Sequence, residues 1–157
     1  RKFVAAPGCS EHQTGLAIDL ALNREPVDFI RPWFPRDGIC GRFREKMTSY
    51  GFVERYPEGK EGITGIAAEP WHFRYVGIPH AAIMERHGFC LEEYIDYLSL
   101  FPADGRHLEI EILNKSFEIF YQKIGPEEAS ITLSLPSSLP FQVSGTNTGG
   151  FAVTLWR

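Results

Sequence analysis

Apolar and polar positions alternate along several short stretches of the chain. Leu16 to Leu22 and Trp71 to Val76 read as strands of period two. In the first, Leu16, Ile18 and Leu20 fall on one face and Gly15, Ala17, Asp19 and Ala21 on the other. In the second, Trp71, Phe73 and Tyr75 share a face, with His72, Arg74 and Val76 opposite; Pro70 marks the strand start, where no ladder donor is needed. Ile39, Phe43, Met47 and Tyr50 repeat at helical spacing before Gly51, an expected stop. Pro79 to His87, with proline at its start and Gly88 after its end, predicts a second helix, and Leu91 to Leu100 a third.

The pattern changes near Phe101–Gly105. From there on the chain predicts strands: Leu108–Leu113, turning at Asn114–Lys115 into Phe117–Tyr121; Ile131–Leu135, ending at Pro136; and Phe141–Val143 with Phe151–Trp156 around a turn-rich Gly145–Gly150. Two domains are expected, residues 1–105 of mixed elements and residues 106–157 as a small β-strand accessory module without a ligand-type cluster.

At 157 residues the chain is of one-domain size with a small appendage. Sixteen Lys plus Arg against twenty Asp plus Glu leave a net charge of -4, which argues against a nucleic-acid partner. No apolar run approaches the roughly 18 residues of a membrane span. The first residue is Arg1 and no signal peptide follows, the expectation for a processed or trimmed product. Cys9, Cys40 and Cys90 are too few and too scattered for a disulfide framework.

Chemistry concentrates in two stretches, Ser10–Asp19 and Glu69–Tyr75. Asp19 shares its strand face only with glycine and alanine, which leaves space beside the carboxylate for an ion. His12, Asp19 and His72 together offer two imidazoles and a carboxylate, a set that suits zinc and leaves a fourth position open for water. Glu69, in the loop before the second strand, is placed to take a proton from that water and return it to a leaving amine. The bland alternatives are a core or surface histidine and a turn-capping aspartate. A further alternative is a Cys9-x-x-His12 zinc hook, whose thiolate closes the fourth position.

S-E-H-Q-T-G-L-A-I-D followed by E-P-W-H-F-R-Y-V-G resembles the VanY-type D-alanyl-D-alanine carboxypeptidases, with their S-x-H-x-x-G-x-A-x-D and E-x-W-H signatures. The likeness runs over about residues 7–98 and includes Gly51–Pro57, Gly62–Gly65 and Leu91–Tyr94. It implies an α+β fold of the hedgehog/D,D-peptidase type, a small antiparallel sheet with flanking helices carrying the zinc site. It further implies Zn2+ on His12, Asp19 and His72, Glu69 as general base, and a peptidoglycan stem peptide ending in D-Ala as substrate. The location implied is the bacterial cell envelope, outside the membrane, with the cytoplasm as the other possibility. Ser10, Tyr56 and Trp71 are the expected substrate contacts; Arg55 and Arg74 read as solvated strand-face arginines, with holding a carboxylate as the alternative, and His80 and His87 as surface residues. The family's upstream S-G-Y-R-S-like segment, whose arginine stabilises the oxyanion, has no match here, Arg1 and Lys2 included. Two rival functions stay open: an L,D-carboxypeptidase acting on tetrapeptides, and a non-catalytic zinc or cell-wall-binding module.

Overall fold

The computed structural model describes residues 8, 10–125, 127–128 and 130–157. Cys9, Arg1 and Lys2 lie outside them, so the Cys9 hook does as well. The fold is α+β, and the chain divides into two compact units, Arg1–Glu92 and Glu93–Arg157. The compositional break at 101–105 thus falls within the second unit. Among the described residues no helix is long and apolar enough to cross a membrane.

The first unit is built on a three-stranded antiparallel sheet. Strand β1 (Ala17–Asp19) and strand β2 (Phe52–Glu54) flank the central β3 (His72–Tyr75), in the order β1-β3-β2. Asp19 pairs with His72, Ile18 with Phe73 and Ala17 with Arg74. On the other side Phe52 pairs with Tyr75, Val53 with Arg74 and Glu54 with Phe73. Bonds beyond the strand ends extend the ladder: Leu20 N–H donates to Trp71 O at 3.0 Å and Arg55 N–H to His72 O at 3.1 Å.

Because side chains alternate, this register sorts the sheet into two unlike faces. One is apolar. Phe73, fully buried, packs with Phe34, Cys40 and Trp71, and Leu20, Leu22, Phe43, Met47 and Phe52 close around them. Burying a ring of that size contributes roughly 1.5–3 kcal/mol. Helix α1 (Gly38–Met47) supplies Cys40, Phe43 and Met47 to this core. Its seam differs from the expected one: Ile39 is 72% exposed and Tyr50 69%. Tyr50 lies past the α-helix in a 3₁₀ turn, Thr48–Tyr50, whose tighter winding rotates it off the stripe. Gly51 ends that turn at φ 83°, and a Cβ there would stand 2.8 Å from the Tyr75 ring, so a side chain is doubly excluded.

Arg44 of α1 is the charged exception on this face. It donates to the Phe34 carbonyl at 3.2 Å and to the Pro70 carbonyl, and pairs with Glu54, which Arg36 also holds. Ile18, on the edge strand β1, and Leu16, just before it, stay more than a third exposed. A four-residue helix α2 (Glu61–Thr64) and helix α3 (Ile78–His87) follow, the latter with Pro79 in its first turn. His80 is buried, not superficial, and burial lowers its pKa to about 4. Helix α4 (Leu91–Leu98) carries the division between the units.

The second unit is a four-stranded antiparallel sheet of β4 (Leu108–Ile112), β5 (Lys115–Lys123), β6 (Phe141–Thr146) and β7 (Gly150–Trp156), in the order β4-β5-β7-β6. Both expected hairpins form. The expected strand Ile131–Leu135 does not: it joins neither sheet, and Leu133 and Leu135 lie against Phe120, Val153 and Leu155. Its alternation reflects one side packed on a sheet face, which needs no ladder.

Candidate active site

The second face of the three-stranded sheet is polar and carries the candidate chemistry. Asp19 and His72 are direct cross-strand partners, so register brings their side chains together. His12 comes from outside the sheet, on the 3₁₀ turn Glu11–Thr14, which Gly15 closes at φ 72° to lead into β1. One ligand atom each from His12, Asp19 and His72 lie within 4.8 Å of one another. His12 Nε2 stands 3.4 Å from Asp19 Oδ2, and His72 Nδ1 3.1 Å from Asp19 Oδ1. Ligands about 2.0–2.2 Å from a tetrahedral ion stand about 3.4 Å apart, so the cluster fits a divalent metal ion. The His12 and Asp19 side chains are 42% and 36% exposed and His72 only 7%, so the cluster is closed at its base and open above.

Glu69 is buried at the edge of this cluster, its Oε2 3.5 Å from His72 Nδ1. Its backbone is fixed by Glu69 N–H to Tyr56 O, at 3.0 Å, and His72 N–H to Glu69 O, at 3.1 Å. Burial pushes its carboxyl up to about 7; His72 opposes this, while Asp19 and Glu11 add to it. A carboxyl near neutrality can both take and return a proton.

Beneath His72 lies a charged layer that the sequence reading missed. Arg55 is 5% exposed, not solvated. Its Nε donates to Glu11 Oε1 at 2.8 Å, and its two terminal nitrogens to Glu92 at 3.0 and 2.6 Å. Arg74 Nη1 is 3.2 Å from Glu11 Oε2, so it too is paired rather than free. Burial alone would raise the Glu11 carboxyl, but His72, Arg55 and Arg74 outweigh it and hold it at about 2. The available signal was Glu11's place between Ser10 and His12, and nothing in the strand pattern singled it out.

The expected substrate contacts divide. Tyr56 is brought to the site: its ring centroid is 5.1 Å from that of His72, and burial, with Glu11 next, pushes its phenol up to about 12. Ser10 precedes the 3₁₀ turn, half-buried, and makes no capping bond with its side chain. Trp71 is not brought there. It belongs to the apolar core with Phe73, on the face turned away from His72, as strand parity requires.

A small antiparallel sheet thus bears a His/Asp/His cluster able to hold a divalent ion, with a buried carboxylate beside it. Residues 1–78 match the VanY family, described as D-alanyl-D-alanine carboxypeptidase. The chain belongs to the VanY-type peptidases, as its motifs imply. Among its relatives, a bifunctional D-Ala-D-Ala dipeptidase and D-Ala-D-Ala carboxypeptidase, VanXYC of Enterococcus gallinarum, is 53% identical over 100 residues, 63% of this chain and 53% of the relative. A D-alanyl-D-alanine carboxypeptidase of Enterococcus faecium is 36% identical over 155 residues, 99% of this chain and 46% of the relative. Among solved structures, the vancomycin-resistance D,D-dipeptidase VanXYg in complex with a D-Ala-D-Ala phosphinate analogue superposes with a TM-score of 0.91 at 50% identity. That match covers all of this chain and 62% of the other. The chain therefore spans about half the length of the curated relatives it matches.

Proposed function

We propose that the protein is a zinc-dependent carboxypeptidase that releases the terminal D-Ala from peptidoglycan stem peptides. His12, Asp19 and His72 hold the ion and Glu69 moves the proton. The observation that carries this reading is the placement of Glu69, buried and 3.5 Å from His72 yet outside the ligand set, where a purely structural metal site has no use for a carboxylate. Bound in this cluster, zinc supplies a Lewis acid for the scissile carbonyl and lowers the pKa of water to about 7. Glu69 accepts the proton from the attacking water and delivers it to the amine of the departing D-Ala. Tyr56, beside His72, lines the approach, and the exposed side of His12 and Asp19 faces the incoming peptide. Arg55 and Arg74, tied to Glu11 and Glu92, are not the groups that receive its terminal carboxylate.

The test uses full-length protein and a muramyl pentapeptide. Glu69→Gln keeps its zinc and loses D-Ala release by on the order of 10²–10⁴-fold. Release at the wild-type rate would overturn the assigned base. A second substrate is favoured by the relatives that carry dipeptidase names, namely free D-Ala-D-Ala. Weighing the products from the pentapeptide, the tetrapeptide and the dipeptide separates the readings. Cleavage of the tetrapeptide alone would replace the D,D assignment with an L,D one.

A further inference from the structure

We propose that Glu11 is a positioning residue of the metal site: its carboxylate takes the Nε2–H of His72 and so commits Nδ1 to the ion. The inference rests on the reading of His72 as a ligand. A neutral imidazole carries one N–H, and its hydrogen-bond partners decide which nitrogen holds it. His72 has a carboxylate at each nitrogen, Asp19 Oδ1 3.1 Å from Nδ1 and Glu11 Oε2 3.6 Å from Nε2. Nδ1 faces the cluster and must offer a lone pair, which leaves the proton on Nε2.

That nitrogen is buried and makes no hydrogen bond among the described residues, and neither does the Glu11 oxygen opposite it. Two unsatisfied complementary atoms facing each other across 3.6 Å need only a small shift to join. Ion pairing with Arg55 does not account for the arrangement, because Arg55 Nε is met by the other oxygen, Oε1. Oε2 lies between the imidazole and a counter-charge, 3.6 Å from His72 Nε2 and 3.2 Å from Arg74 Nη1. A carboxylate held by two arginines and directed at a ligand's second nitrogen fixes ring orientation and strengthens the ligand.

The probe is Co2+, added to full-length apoprotein and followed by its visible absorption bands and by competition with a chelator. Glu11→Gln, close to isosteric, should weaken Co2+ 10- to 100-fold and shift those bands. It should also move the Nε2–H signal of His72 in long-range proton–nitrogen spectra of the zinc form. Glu11→Asp should recover part of the affinity. Arg44→Gln, on the apolar face, serves as a destabilised control and should bind Co2+ within twofold of the parent. Unchanged affinity and bands in Glu11→Gln, with binding lost in Asp19→Ala, would overturn the role of Glu11 and leave the metal site standing. Equal weakening in Glu11→Gln and Arg44→Gln would overturn it too, as general destabilisation. A parent that takes up no Co2+ would bring down the metal reading itself, and this inference with it.

Discussion

Each unit holds a histidine pressed against carboxylate, and the two are used in opposite ways. In the second unit His107 Nδ1 meets Glu118, its Nε2 meets the Ala103 carbonyl at 3.1 Å, and its ring stacks on Phe120 at 4.3 Å between centroids. Arg157 completes the cluster, its Nε donating to the second Glu118 oxygen at 2.6 Å. Both nitrogens of His107 and both oxygens of Glu118 are answered. In the first unit His72 is the more deeply buried of the two, touches three carboxylates, and still has an unanswered Nε2. A buried polar group without a partner is costly, and the fold holds a carboxylate near each nitrogen of His72, Asp19 at Nδ1 and Glu11 at Nε2. The two clusters differ in what their carboxylates face: Glu118 is shared by His107 and Arg157, whereas Asp19, a third exposed, stands between two imidazoles, His12 and His72.

Three experiments sharpen the contrast, in descending order of effect. Zinc at about 1,000 times its dissociation constant should raise the unfolding free energy by about 4 kcal/mol. In chemical denaturation His107→Ala should retain that increment and His72→Ala should lose it. An equal response from both variants would erase the distinction between the clusters. Next is Glu118→Gln, which strips charge from the saturated cluster and should cost about 1–3 kcal/mol at neutral pH. Burial alone would raise the Glu118 carboxyl, but His107 and Arg157 hold it below its ordinary value. A carboxyl so depressed stabilises the fold above its unfolded pKa of about 4.3 and loses that contribution as pH falls through the folded value. The penalty in Glu118→Gln should therefore shrink on acidification below that point. A penalty independent of pH would show that packing, not charge, holds the cluster. The smallest effect belongs to Arg157→Gln: its side chain is 54% exposed, and the loss should stay within about 1 kcal/mol and diminish with salt.

Much of the site is written in local pattern. Period-two alternation assigns His72 and Asp19 to particular strand faces, and the antiparallel register then makes them neighbours. Glu69 follows from its place just before β3. What is not local was not legible. Arg55 looks like any strand-face arginine, because the carboxylates that bury it stand 44 and 37 positions away. Glu11 occupies a motif position of no stated chemistry, and its direction is set by a 3₁₀ turn rather than by a strand. Trp71 shows parity at work against a plausible guess, since Trp71 and Phe73, on either side of His72, both face the core. His80 and Ile39 went the other way, one inward and one outward, because short helices of modest amphipathicity do not announce which side packs. Ile131–Leu135 alternates like a strand yet pairs with none, since half-burial alone produces the same pattern.

His72 and Phe73 are consecutive residues of the central strand, one serving the ligand cluster and the other the core. A slip of that strand by a single position would drive an imidazole in among Phe34 and Cys40 and turn a phenyl ring toward water. Misaligned chains therefore forfeit cohesion and ligands in the same stroke, so that a molecule passing inspection for compactness has its ligands in order as well.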